Sequence, residues 1–231
     1  RVGVTGGTVP LITGAPRLPF RADMTLALTQ TAESAAAFFG ILTLLVNAFV
    51  VVVVLLGLGA LVSDRAADWF YAVVEPLRGP ALWLALGVAF VCTAGSLYFS
   101  EVEHFTPCRL CWFQRIGMYP LVPILAVAAW RRAADARWYV LPLALGGACV
   151  SIYHYFIEWY PNLETGSCDP NAPCTLVYFR EFGYQSLAFM ALSGFLAIAT
   201  LVLISRPDSL DEPSTAPDAP DGERVREDAT T

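Results

Sequence analysis

Long apolar blocks separated by short polar intervals run through most of this chain. Ala35 to Val62 carries no charged residue over 28 positions. It is longer than the about 20 residues that a helix needs to cross the hydrocarbon of a bilayer, and it is predicted to span with a tilt. The alternative, a cleaved signal, has an apolar region of only about 7–15 residues. Four more spans follow, at 81–100, 111–130, 138–157 and 182–205. Gly79-Pro80 opens the second, because proline suits a first helical turn. Pro120 and Pro123 are predicted to bend the third. The far end of the fourth is an aromatic belt: Tyr153, Tyr155, Phe156, Trp159 and Tyr160.

The polar intervals divide the chain further. Residues 1–34 are expected to be an unstructured N-terminal extension, with Met24 a candidate start, and 63–80 a cytoplasmic connector. Residues 206–231 hold four prolines, eight acids and three arginines, and are predicted to be a disordered acidic cytoplasmic tail.

Composition agrees with this pattern. The chain is 56% hydrophobic and only 15% charged, against roughly 25% charged in soluble domains. The net charge of −6 is almost all in the tail. No basic stripe offers a nucleic-acid footprint, so the expected surroundings are membrane lipid.

Arginine placement orients the spans. If five spans alternate, Arg65, Arg78, Arg131, Arg132, Arg137 and Arg206 share one side, which the positive-inside rule makes cytoplasmic. The opposite, extracytoplasmic loops of a multi-pass plasma-membrane protein then carry two polar cysteine pairs, Cys108/Cys111 and Cys168/Cys174. That is also the compartment where disulfides persist. Cys92 and Cys149 lie mid-span and are expected to be small buried hydrophobes.

The chemistry centres on Cys108-Arg109-Leu110-Cys111-Trp112-Phe113-Gln114-Arg115, where a polar loop enters an apolar helix. The positive end of the helix dipole lowers a thiol pKa there, and a low-pKa thiol is a good leaving group in disulfide exchange. Half of a zinc site, completed by Cys168 and Cys174, is an alternative for this pair, as is a purely structural disulfide. Two nearby arginines disfavour a dication. Cys168 and Cys174 enclose five residues, a loop that a disulfide can close either as an exposed shuttle or as a staple. Arg115 lies below the interface, where a charge needs a partner. It can donate to a quinone carbonyl beside Cys111, or snorkel to headgroups. Gln114 can assist from the adjacent position. His154 can donate to a quinone or handle its protons, or be a structural member of the aromatic belt.

With these residues in hand, the chain resembles the DsbB/BdbC family of disulfide bond formation proteins over about Ala81 to Ser205. The resemblance rests on Pro107 to Arg115, on Met118-Tyr119-Pro120, on Ser151-Ile152-Tyr153-His154 and on the Cys168/Cys174 pair. It implies an all-α fold: a polytopic four-helix membrane bundle over 81–205, with 35–62 as one extra N-terminal transmembrane helix. It also implies a relay. A reduced extracytoplasmic thioredoxin-fold, DsbA-like partner attacks at Cys168, Cys174 passes electrons toward Cys108, and Cys111 contacts the quinone (ubiquinone or menaquinone). Arg115 matches the family arginine that supports quinone binding, and no resident metal is expected. Two features depart from the family pattern: the extra helix, and a short Cys168–Cys174 spacing like that of BdbC-type members. The competing expectations are a vitamin K epoxide reductase-like enzyme, in which the loop pair precedes the quinone-proximal pair, and a non-enzymatic structural or metal-holding subunit.

Overall fold

The computed structural model describes residues 19–164, 166, 168, 169 and 172–205. Residues 1–18 of the expected extension and the expected acidic tail lie outside the described residues. The first helix, α1 (Pro19–Ala60), begins well ahead of the predicted span. Residues 19–34, expected to be unstructured, are helical because Phe20 to Ser34 contains neither glycine nor proline, and Pro19 sits where a first turn tolerates it.

The connector is a second helix, α2 (Asp64–Arg78), rather than an irregular link. It folds back on α1 where glycines leave room. The Phe70 ring lies 3.4 Å from where a Cβ on Gly57 would stand, and the Ala66 methyl 3.1 Å from the same position on Gly59. Val74 is buried while Trp69 and Tyr71 are exposed, so the helix lies along a surface.

The second span is α3 (Ala81–Leu97), which ends in a π-helical turn, Tyr98–Val102. The third is broken into α4 (Arg109–Met118) and α5 (Leu121–Arg131). Of the two prolines expected to bend it, Pro120 makes the break, since it removes an amide and crowds the preceding turn. Pro123 falls in the first turn of α5, where it is harmless. The fourth span is α6 (Arg137–Trp159) and the fifth α7 (Leu187–Ile204). The predicted start of the fifth at Phe182 is too early. Phe182 and Gly183 have φ of 51° and 80° and form a turn, and Ser186 then caps α7 by accepting from the Phe189 amide at 3.4 Å. Among the described residues, five helical segments are long and apolar enough to cross a membrane: Gln30–Ala60, Ala81–Val102, Arg109–Arg131, Arg137–Trp159 and Leu187–Ile204.

The last helix is the hub, packing against α6, α3 and α1. Small residues let the backbones approach, as expected where lipid supplies no hydrophobic drive between helices. Phe195 is fully buried over Gly147, where any Cβ would collide with its ring. Gly194 accommodates the Cys92 sulfur, which would stand 2.6 Å from a Cβ there. Cys92 is thus a packing residue of the α3–α7 contact. Cys149 is exposed on α6, contrary to the expectation that it is buried. It shares its side of that helix with the exposed Leu145, Ile152 and Phe156.

Candidate functional site

Pro107 leads the chain out of the polar loop, and Cys108 takes extended backbone angles as the N-cap of α4. Its sulfur accepts from the Cys111 amide at 3.3 Å, one of the donors that a helix start leaves unpaired. The two sulfurs lie 2.7 Å apart. Cys108 is buried and Cys111 half-buried. The hydrogen bond from the Cys111 thiol, supported by His154, brings the Cys108 thiol down from its ordinary range to about 4.

The second pair, Cys168–Cys174, is a disulfide with its Cα atoms 5.9 Å apart. Cys174 is completely buried and joins Cys108, Leu110 and Ile157 in one apolar cluster, with Cys111 and Cys168 packed against it. Cys168 retains access to solvent. The loop's outward sulfur is therefore Cys168 and its inward sulfur Cys174.

His154, one turn before the end of α6, stands between the pairs. Its Nε2 lies 3.6 Å from the Cys108 sulfur and 3.1 Å from the Cys174 carbonyl oxygen. A carbonyl only accepts, so this nitrogen carries the proton. Glu158, four residues on, brings a carboxylate oxygen to 4.0 Å from the same nitrogen. The sequence reading put Glu158 in the loop, yet it is buried in the last turn of α6, and its other oxygen has no partner among the described residues. Its one sequence signal is the four-residue spacing from His154 at the end of an apolar block.

An aromatic stack fastens the loop. The Phe105 and Tyr178 rings lie 4.2 Å apart and almost parallel, and the Tyr178 hydroxyl donates to the Thr106 carbonyl at 3.0 Å. Phe99 and Phe179 complete the stack. Arg180 lies over the Trp159 ring at 3.9 Å and donates to the Glu158 carbonyl.

A cavity of about 570 Å³ opens beneath the helix pair. Cys108, Cys111, Gln114, Arg115 and His154, five of the seven sequence-predicted candidates, line it together with Glu158. Cys168 and Cys174 stand outside its lining, although Ala172 and Pro173 between them belong to it. Arg115 donates through Nε to the Ser96 hydroxyl and through a terminal nitrogen to the Ser96 carbonyl, both at 3.1 Å. It also lies 5.1 Å over the Trp112 ring. Gln114 gives its amide to Ser151 at 3.0 Å, a bond between α4 and α6. Its nitrogen is thus committed to holding the helices together. The mostly apolar walls with a few convergent polar groups are what a ring with carbonyl oxygens needs. The unpartnered His154 Nδ1 and Glu158 oxygen add hydrogen-bonding capacity at that end. The ligand-type atoms of Cys108, Cys111 and His154 also lie within 4.8 Å of one another, a donor set that suits a soft cation when the pair is reduced.

Comparison with known proteins follows the same boundaries. Residues 78–205 match the family model described as Disulfide bond formation protein DsbB. The chain is 44% identical over 125 residues to "Probable disulfide formation protein C 1" of Bacillus anthracis, a match covering 54% of this chain and 90% of that protein. It is 42% identical over 118 residues to "Disulfide bond formation protein C" of Bacillus subtilis, covering 51% of this chain and 86% of that one. No solved structure matches it.

Proposed function

The chain belongs to the DsbB family of disulfide bond formation proteins, and from that we propose that it is a membrane thiol:quinone oxidoreductase that reoxidises an extracytoplasmic thioredoxin-fold partner. The observation that carries this reading is the single line from Cys168 through Cys174 and His154 to the Cys108/Cys111 pair over the cavity.

The chemistry runs as balanced exchanges. A partner thiolate attacks Cys168, the exposed sulfur, and Cys174 leaves as thiolate. The partner's second thiol then displaces Cys168 and closes the partner's disulfide. The Cys174 thiolate attacks Cys108 of the oxidised helix pair, releasing Cys111, and Cys168 closes the loop again. Two electrons and two protons now reside on Cys108 and Cys111. A quinone supplies the sink for both. Arg115, Gln114 and His154 line the space that would hold it, Arg115 through its guanidinium and His154 through a ring that can move a proton. His154 also steadies the Cys108 thiolate as it forms.

The test is purified protein with a reduced thioredoxin-fold partner and a quinone, followed by loss of quinone absorbance. Wild-type protein should couple partner oxidation to quinone reduction one to one. Cys111→Ser should abolish quinone reduction while a mixed disulfide at Cys168 still forms. Unchanged turnover in that variant would overturn the proposal. The metal-holding alternative is supported instead if the reduced protein carries one zinc per chain and no quinone-dependent turnover.

A further inference from the structure

The cavity does not stop at the redox centre. It continues away from the cysteines along α3, past Val91, Val88, Gly87 and Leu84 to Trp83. From Gly95 to Trp83 is twelve residues, about 18 Å along a helix axis. The opposite wall is α1, through Phe39, Leu42, Thr43 and Val46. The floor is α7, which packs against both helices. At the cysteine end the walls meet, with the Phe39 ring over Gly95 and 5.7 Å from the Phe99 ring. Farther along they stand apart. A Cβ on Gly87 would meet nothing within 4 Å. The space is therefore polar at one end, where Cys111, Arg115 and His154 lie, and apolar along the rest.

The wall formed by α1 lies outside the family match, which begins at residue 78. The Bacillus anthracis relative has about 14 residues beyond its matched 125, fewer than the about 20 of a spanning helix. Its unmatched residues are thus too few to supply a helix of α1's kind.

We propose that α1 and α3 form the walls of a groove that holds the isoprenoid tail of the quinone, with α1 a tail clamp added to the four-helix plan. This rests on the thiol:quinone reading above. A polar ring at the cysteine end and a long apolar tail running down the groove match the two-part character of the space. Lipid is as apolar as the groove, so the tail gains packing and alignment there rather than a hydrophobic transfer energy. The clamp thus selects for tail length, and it fixes the ring's approach to Cys111.

The experiment uses the full chain in lipid nanodiscs with two quinones of one ring type, bearing one and four isoprene units. A photoreactive group at the end of the long tail should label α1 between Phe39 and Val46 and α3 between Trp83 and Val91, as mapped by mass spectrometry. Unlabelled long-tailed quinone should compete better than the short one. Gly87→Phe fills the groove from α3 and Val46→Phe fills it from α1. Either should reduce the labelling and shift the ratio of long-tail to short-tail half-saturation about tenfold toward the short one, a change within reach of lost packing contacts. Labelling spread over lipid-facing residues, or a ratio unmoved in both variants, overturns the clamp while leaving the redox reading intact. If wild-type protein binds and reduces neither quinone, the parent reading fails and the clamp with it.

Discussion

At the scale of single residues, the centre depends on one sulfur being ionised. The Cys108 thiol is held well below its ordinary range, lowered first by the Cys111 thiol and then by His154, against the cost of burial. A lowered pKa means that the proton leaves early, so thiolate at Cys108 is expected to persist to lower pH than at an ordinary thiol. Alkylation of reduced protein by iodoacetamide, read at Cys108 by mass spectrometry, should persist well below pH 7 and fall off only toward the acid limit. An ordinary thiol loses reactivity below its pKa of about 8.5. His154→Ala removes a supporting donor and should move the inflection upward. An unmoved inflection would remove His154 from the relay. Arg115 gives a second prediction. Its guanidinium is tethered to Ser96 yet lines the cavity, so Arg115→Ala should raise the quinone KM about tenfold or more, the loss of one charge-assisted hydrogen bond, with exchange at Cys168 unchanged. Loss of membrane insertion alone would make it an interfacial anchor. That Cys108, Cys111 and Arg115 would share one site was legible in the sequence because they sit in one contiguous octet. The roles of Ser96 and Glu158 were not, nor was the Gln114 partner of Ser151, because these come from contacts between helices or from burial that no local pattern records.

At the scale of elements, the two cysteine pairs belong to different segments and must be held in register. Cys108 is fixed by its helix cap, but the Cys168–Cys174 loop has no long helix or sheet of its own, only turns and isolated bridges among the described residues. Its position comes from the Phe105–Tyr178 stack and the Tyr178 hydroxyl bond to Thr106. An aromatic pair contributes about 0.5–1.5 kcal/mol beyond its buried area, and the hydrogen bond about 1 kcal/mol. Tyr178→Ala should therefore slow electron transfer from the loop pair to Cys108 by about ten- to seventyfold. Acid-quenched single turnovers that count thiols at each pair would measure this. Partner attack at Cys168 should be unaffected, and Tyr178→Phe, which keeps the stack, should lose less. Equal rates in all three proteins would show that the loop finds its place by other means. The sequence foretold the spans because apolar length is a local property. It could not foretell this stack, whose rings at 99, 105, 178 and 179 meet only in the folded chain. Nor did the polar letters of 63–80 announce a helix, since a surface helix alternates with a period that a charge count overlooks.

At the scale of the whole molecule, everything follows from which end of the bundle carries the sulfur. The helix connections put both cysteine pairs at one end, where α4 begins and α6 finishes. They put Arg131, Arg132 and Arg137 at the other, where α5 finishes and α6 begins. Arg65 and Arg78 on α2 lie at that same end, since α2 links the far ends of α1 and α3. By the positive-inside rule we read the arginine end as cytoplasmic, and we propose that the cysteine end faces a compartment where a disulfide survives. The prediction is a labelling asymmetry in intact cells. After mild reduction, a membrane-impermeant maleimide should react with Cys168. A cysteine introduced as Ser63→Cys, at the turn between α1 and α2, should react only after the cells are opened. Cys149, exposed on a lipid-facing side of α6, should resist the reagent in both states because the hydrocarbon excludes it. If Ser63→Cys labelled from outside and Cys168 only from within, the relay would discharge its oxidising power into a reducing cytosol. A protein of this family so oriented could not maintain disulfides in a partner, and the proposed partner would have to be abandoned.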